Sequence, residues 1–267
     1  MNSVLFRHSF ENEQEEQICS EYFKTINHRT DVAPRVGEWR GKHTVIGRYS
    51  VLPYYKELCY DLAQYSHYLI NSLAEHLYIS EFSYYEDIKE YTFPSWREHE
   101  FHTCRDNGPF VVKGATNSKK NQWDTLMFAP TKKDAIEIGC DLKCDGLLGQ
   151  QEIIYRKYVP LVALSESITG LPFTNEWRFF LYGETILCSG YYWSNADYIP
   201  EFTPHEATTL VCKVAPLVSP NCPFYVVDVG EDVDGRWWVV ELNDGQMSGL
   251  SCCDPHQLYS LLREYVA

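Results

Sequence analysis

The chain has 267 residues and a net charge of −14, from 37 Asp and Glu against 23 Lys and Arg. That length supports a sizeable core without disulfide or metal staples, and the acidic balance argues against broad docking on extended nucleic acid or an anionic membrane. Hydrophobic residues at 45% and charged residues at 22% are ordinary globular proportions, and no apolar run is long enough to cross a bilayer, so a soluble folded chain is expected.

The first ten residues lack the charged-then-apolar pattern of an export signal, which predicts a cytoplasmic protein whose ten cysteines stay as thiols. Only Cys140 and Cys144 resemble half a zinc site, and no second pair matches them. Residues 44–50 (TVIGRYS) read as a strand. From 53 to 79, Leu58, Leu62, Tyr65, Leu69, Leu73 and Leu77 recur at steps of three or four, which predicts one helix opened by Pro53. Thr92-Phe93-Pro94 reads as a break and the charged stretch 97–105 as a connecting helix. Residues 1–95 are therefore expected to form an α/β front portion.

A second portion, 96–160, contains the apolar strand 109–113 (PFVVK), which ends in Lys113 and leads into the polar loop 114–121. A strand near 123–128, a helix over 131–142 and the run 151–161 complete an expected α+β lid with a hinge-like exit. In the third portion, 161–267, the β-rich runs 175–182 and 185–193 flank Gly183, and 224–229 and 236–242 flank a turn at 230–235. Two antiparallel hairpins follow, with helices predicted near 205–218 and over 254–265.

The chemistry concentrates in 224–250, where an apolar hairpin carries Asp228 in one strand and Glu241 and Asn243 at the end of the other. Apolar strands rarely tolerate unpaired carboxylates. Alternate residues share a face, so Glu241 and Asn243 project together while Leu242 points into the core, and with Asp228 they offer three hard oxygen ligands suited to Mg²⁺. The competing reading is a solvated strand end with turn-forming Asn243-Asp244-Gly245. In Glu176-Trp177-Arg178 the same spacing sets a carboxylate beside a guanidinium, a fork that fits phosphate or a cross-strand partner. Lys113 precedes a loop with Thr116, Asn117, Ser118, Lys119 and Lys120, one way to hold nucleotide phosphates, although a lysine snorkelling from a strand end has the same look.

Lys143-Cys144-Asp145-Gly146 matches the Lys-x-Asp-Gly box of covalent nucleotidyltransferases. Its place after a helical pattern favours a helix-to-strand connection, and covalent transfer through Lys143 stands as a weaker alternative. Signatures of serine hydrolases, zinc proteases and P-loop enzymes are absent.

Taken in order, the strand lysine, the loop, a hinge ending in Arg156-Lys157-Tyr158-Val159, the Glu-x-Arg strand, the Asp strand and the Glu-x-Asn strand resemble the ATP-grasp superfamily. VIGRYSVLPYY (45–55), LINS (69–72), KGATNSKKNQWDT (113–125), NEWRFF (175–180) and VELNDGQMSGLS (240–251) resemble a bacterial and phage branch of ATP-grasp domain proteins. A more distant likeness is to the eukaryotic cell-division-cycle factor that has this fold and chaperones assembly of a translation initiation factor.

The resemblance implies an α+β ATP-grasp fold, two subdomains (96–160 and 161–267) clasping ATP after the front portion. It implies that Lys113, Ser118, Lys119, Lys120, Arg156, Lys157, Tyr158, Glu176 and Asp228 contact ATP, with residues 153–159 as the hinge against adenine. Arg178 and Lys113 would act on the transferring phosphate, and Asp228, Glu241 and Asn243 would hold Mg²⁺. The implied activity is carboxylate–amine ligation through an acyl phosphate on a small-molecule or peptide substrate, with a non-catalytic ATP-binding assembly chaperone as the alternative. Arg48 and Asn71 are expected to form one wall of the substrate cleft.

Overall fold

The computed structural model describes residues 2–7, 13–28, 41–48, 54–165 and 171–266. Pro53 and residues 49–53 of the front motif lie outside them. The front portion runs β1 (Ser3–Arg7), α1 (Glu13–Cys19), β2 (Lys24–His28), β3 (Thr44–Arg48), α2 (Tyr55–Gln64), β4 (Tyr68–Leu69), α3 (Leu73–Ser80) and α4 (Tyr85–Ile88). Its four strands pair in parallel in the order β2-β1-β3-β4.

The single helix expected over 53–79 is thus two helices separated by an edge strand. Ser66 turns the chain at φ +61°, and the amides of Tyr68 and Ile70 then bond to the carbonyls of His43 and Val45 at 3.1 and 2.9 Å. Ser72 restarts the helix as one half of a capping box with Glu75. The leucine spacing survives because Leu58, Leu62 and Leu69 all pack into one cluster with Leu5, Ile26 and Val45. Periodicity reports which side chains are buried, not whether the backbone between them stays helical.

The middle portion, expected to be the lid and so named for its place in the chain, comprises β5 (Ser95–Arg97), β6 (Phe110–Gly114), α5 (Trp123–Leu126), β7 (Phe128–Ala129), α6 (Lys132–Lys143) and β8 (Ile153–Lys157). The strands form an antiparallel sheet in the order β5-β8-β6-β7. The connecting helix expected over 97–105 is a strand end followed by one 3₁₀ turn, Phe101–Thr103. Pairing of Ser95–Arg97 with β8 takes the first residues, and Phe101 stacks on Tyr155 at 4.0 Å. The strand expected near 123–128 is mostly helix, because Trp123 folds back to stack on Phe128 at 5.7 Å. One face of the sheet buries Phe110, Val112, Ile153 and Tyr155 with Ala135, Ile138 and Leu142 of α6. By strand alternation the other face carries Val111, Lys113, Ile154 and Arg156.

After a two-stranded ribbon of β9 (Ala163–Ser165) and β10 (Phe173–Thr174), the core portion adds β11 (Glu176–Tyr182), β12 (Thr185–Tyr191), α7 (His205–Val218), β13 (Phe224–Glu231), β14 (Trp237–Asp244) and α8 (Pro255–Val266). Its sheet is antiparallel in the order β12-β11-β13-β14. Trp177, Phe179, Leu181, Val227 and Val229 pack one face with α7 residues Leu210, Val211 and Val214. On the other face, Phe180, Phe224 and Val226 pack with Leu258, Tyr259 and Leu262 of α8 and with Val4 and Phe6 of β1. The remaining end of that second face carries Glu176, Arg178, Asp228, Glu241 and Asn243, opposite the lid. All ten cysteines are free thiols, and no described helix is long and apolar enough to cross a membrane.

Candidate active site

The cleft forms where the polar face of the lid sheet meets the polar end of the core sheet. Register sets its residues: Asp228 lies opposite both Arg178 and Glu241, and Asn243 lies opposite Val226, so all four side chains share one face. A bulge between Asp228 and Val229 leaves Val240 unpaired without changing that face. Lys113, from the lid, reaches across to an ion pair with Glu241. Beside it Arg178 forks onto Asp228 with two bonds of 2.8 Å and donates to the Gly249 carbonyl at 2.7 Å.

Burial sharpens these charges. It would raise the Glu241 carboxyl, but the Lys113 and Lys120 ammoniums and hydrogen bonds from Lys113 and Asn243 outweigh it and hold the group at about 2. Burial lowers the Lys113 ammonium against the pull of Glu241. For Arg178 burial acts the same way, but the paired Asp228 carboxylate wins and its pKa is raised. Glu176 is pushed up by burial, opposed by Lys120 and a bond from Thr174. The cleft therefore stores cations and carboxylates in mutual neutralisation, an arrangement an incoming polyphosphate and its counter-ion can exchange with.

Counting its open mouth, the cleft holds about 840 Å³ of empty space. One end is apolar, walled by Phe93, Trp123, Met127, Tyr158, Leu161 and Leu171. Toward the other end stand Lys113, Ser118, Lys120, Glu176 and Glu241, and a more polar extension adds Arg178, Tyr192, Asn243 and Ser248. Lys157 lines the apolar end while pairing with Asp106 at 3.0 Å. Residues that sequence reading passed over include Tyr192, which accepts from Lys120 at 2.5 Å, and Trp193, whose ring lies 5.2 Å from the same ammonium. Gln151 is another: its amide oxygen accepts from the Thr116 amide at 3.1 Å and its amide nitrogen donates to Asn117 at 2.6 Å, anchoring the loop. The aromatic run Tyr191-Tyr192-Trp193 after a hairpin strand was a usable signal; a lone Gln151 carried none.

Several expected residues are engaged by other partners. Lys119 turns from the cleft to an ion pair with Asp145 at 2.5 Å, because Asp145 also caps the amides of Leu147 and Leu148 and presents its other oxygen. Arg156 lines the cleft but works as a bracket between portions, donating to Ser95 at 3.0 Å, to Thr92 at 2.7 Å and to the Val240 carbonyl. Arg48 and Asn71 form no cleft wall. Arg48 is sealed against Glu15 at 2.9 Å and the Gly245 carbonyl, and Asn71 is locked to Phe224 and Asp244. Lys143 sits at the end of α6, 2.8 Å from Glu98 and outside the cleft lining, where the 143–146 box is the helix exit.

Asn243-Asp244, the alternative turn, belongs to β14 instead, and Asp244 is buried. Among the described residues no group of three His, Cys, Asp or Glu side chains is gathered to hold a metal. Asp228, Glu241 and Asn243 share a face, yet both Asp228 oxygens are committed to Arg178.

Comparison with known proteins agrees with this architecture. D-cycloserine synthetase DcsG superposes with a TM-score of 0.64 at 12% identity, over 100% of both chains. The RimK domain ATP-grasp protein from Sphaerobacter thermophilus gives 0.60 at 12% identity, covering 100% of this chain and 99% of the other. ATP-grasp ligase PsnB, complexed with minimal precursor, Mg and ADP, gives 0.58 at 10% identity over 99% and 98% of the two chains. These likenesses establish the fold. No curated protein matches the chain. The sequence model of the ATP-grasp domain, R-two-K clade family 3, matches residues 100–262, more than half of the chain, and the protein belongs to that family.

Proposed function

We propose that the protein is an ATP- and Mg²⁺-dependent ligase that joins a carboxylate to an amine through an acyl phosphate, on an amino acid, a peptide or a protein terminus. In this reading 96–160 is the lid, 161–267 the core subdomain and 1–95 the front portion. Lys113, Lys120 and Ser118 hold the phosphates, and Tyr158 with residues 153–159 forms the hinge against adenine at the apolar end. Arg178 faces the transferring phosphoryl group. The donor set suits Mg²⁺, which takes one or two protein oxygens and completes its shell with phosphate and water. Glu241 and Asn243 would hold it, with Asp228 joining once its arginine turns to phosphate. When bound, the ion neutralises phosphate charge and acts as a Lewis acid.

The substrate carboxylate attacks the γ-phosphorus and ADP leaves; the amine then attacks the acyl carbon and phosphate leaves. The chain supplies positioning and charge, which carry most of phosphoryl-transfer catalysis, and no protein nucleophile is needed. The observation that carries the reading is the Lys113–Glu241 pair spanning lid and core beside the Arg178–Asp228 fork, at the polar end of a cleft whose other end is apolar. The Mg and ADP in PsnB lend support.

The test is ADP release from purified protein across a panel of amino acids and peptides. At least one carboxylate should drive it, and Glu241→Ala should lose that turnover with its circular dichroism unchanged. Nucleotide binding with no ADP release under any acceptor would replace the ligase with the assembly-chaperone alternative.

A further inference from the structure

A second groove, separate from the apolar end of the cleft, runs between α3, the lid and the end of β14. It is lined by His76, Glu81, Arg97, Thr116, Asn117 and Asn243 among others, and shares Thr116, Asn117 and Asn243 with the polar end of the cleft. A molecule lying in it therefore reaches the place where phosphate charge gathers. Arg97 is committed to Glu152, which leaves the exposed Glu81 as a free charge on the wall and favours a cationic guest.

His76 sits on that wall in an unusual state. Its Nδ1 lies 2.8 Å from Asp244 Oδ2, and its ring stacks on Tyr55 with centroids 3.9 Å apart. A carboxylate only accepts, so Nδ1 carries a hydrogen, and in the neutral ring Nε2 then holds the lone pair. Asp244 is itself pinned by Asn71 at 2.8 Å and by the Gln246 amide at 2.9 Å. Nε2 is buried with no hydrogen-bond partner, and the residue is 2% exposed. An unpaired buried acceptor is destabilising, so its persistence in a network otherwise satisfied points to a partner that arrives with a substrate.

We propose that this groove binds the amine substrate and that His76 Nε2 is the base that takes the amine's proton. The assignment rests on the ligase reading above and names the amine side of that reaction. As the amine nitrogen bonds to the acyl carbon, the C–O bond to phosphate breaks and phosphate departs with the electron pair. The proton shed by nitrogen passes to Nε2, and Asp244 compensates the imidazolium.

Two measurements test this. In spectra of protein labelled with ¹⁵N in its histidine rings, His76 Nε2 should resonate as an unprotonated nitrogen. It should shift on titration with propylamine and not with propionate. The resonance is assigned by its loss in His76→Gln or, should that variant not fold, by its contacts to the Tyr55 ring. A protonated Nε2, or one blind to propylamine, overturns the proposal. For turnover, any carboxylate that drives ADP release is coupled to an amine or to hydroxylamine, a nucleophile that needs no base. His76→Gln should lose roughly a hundredfold in amine coupling, the usual scale for general-base catalysis, and keep hydroxamate formation. Equal losses would make His76 merely structural and overturn its role. Absence of ADP release with every carboxylate would instead sink the ligase reading, while the spectra still decide the histidine.

Discussion

Two buried charge networks sit on opposite ends of the same sheet face and do different work. At the front, Arg48–Glu15, Tyr259 and Asn71 tie the parallel sheet to the core through bonds from the front portion to Phe224 and Gly245. In the cleft, Lys113–Glu241 and Arg178–Asp228 look equally buried, yet they border open volume. A buried ion pair is weak evidence for either stability or function by itself. What separates the two networks is whether a cavity adjoins them, since only there can a ligand replace the partner.

The comparison breaks most sharply on Arg48→Ala, which strands Glu15 without its guanidinium and should cost about 3–5 kcal/mol of stability. Urea unfolding measures it, and a cost under 1 kcal/mol would put the front network in the class of the cleft. Lys113→Met is the converse case. It should lower ADP release by roughly a hundredfold, the scale seen when one preorganised electrostatic contact is removed, with an unchanged circular dichroism spectrum and a smaller loss of stability than Arg48→Ala. A large midpoint shift would mean that the cleft pair holds the fold. Asn71→Ala removes the bonds that meet both backbone groups of Phe224 and one oxygen of Asp244, for about 2 kcal/mol.

A smaller effect sharpens the contrast through pH. Glu241 is held at about 2 against an ordinary 4.5, so the unfolded chain binds more protons than the folded one between those values. Its contribution is complete above pH 4.5 and is lost as pH falls toward 2. The stability gap between wild type and Glu241→Gln should therefore close over that window in urea titrations, and a gap that stays constant would refute the pairing. Lys143→Ala should change neither ADP release nor stability, the latter within about 0.5 kcal/mol as for other surface positions. Loss of turnover there, with protein-bound label from α-labelled ATP, would revive covalent nucleotidyl transfer.

The parts legible in the sequence were those with local causes. Alternation placed Lys113 on the face of β6 away from Phe110 and Val112, and set Glu241 and Asn243 opposite Leu242. The helix expected over 131–142 stands as α6, which the structure opens with a Thr131–Asp134 capping box, and α7 and α8 followed from apolar spacing. Resemblance then supplied the order of motifs that no single spacing could. Where two solutions bury the same side chains, as at Ser66 between α2 and α3, local pattern was blind. It was equally blind to the partner of a charge: nothing near Lys119 names Asp145, and nothing near Arg48 names Glu15.

The sequence by itself determined which residues are apolar at strand and helix period, and so which face of each strand carries charge. Only the tertiary structure decided which of those charges are spent on one another, which border a cleft, and that His76 keeps a buried nitrogen unpaired. The reason is range: periodicity acts over one or two turns of chain, whereas Arg48 meets Gly245 and Lys113 meets Glu241 only after three sheets have packed.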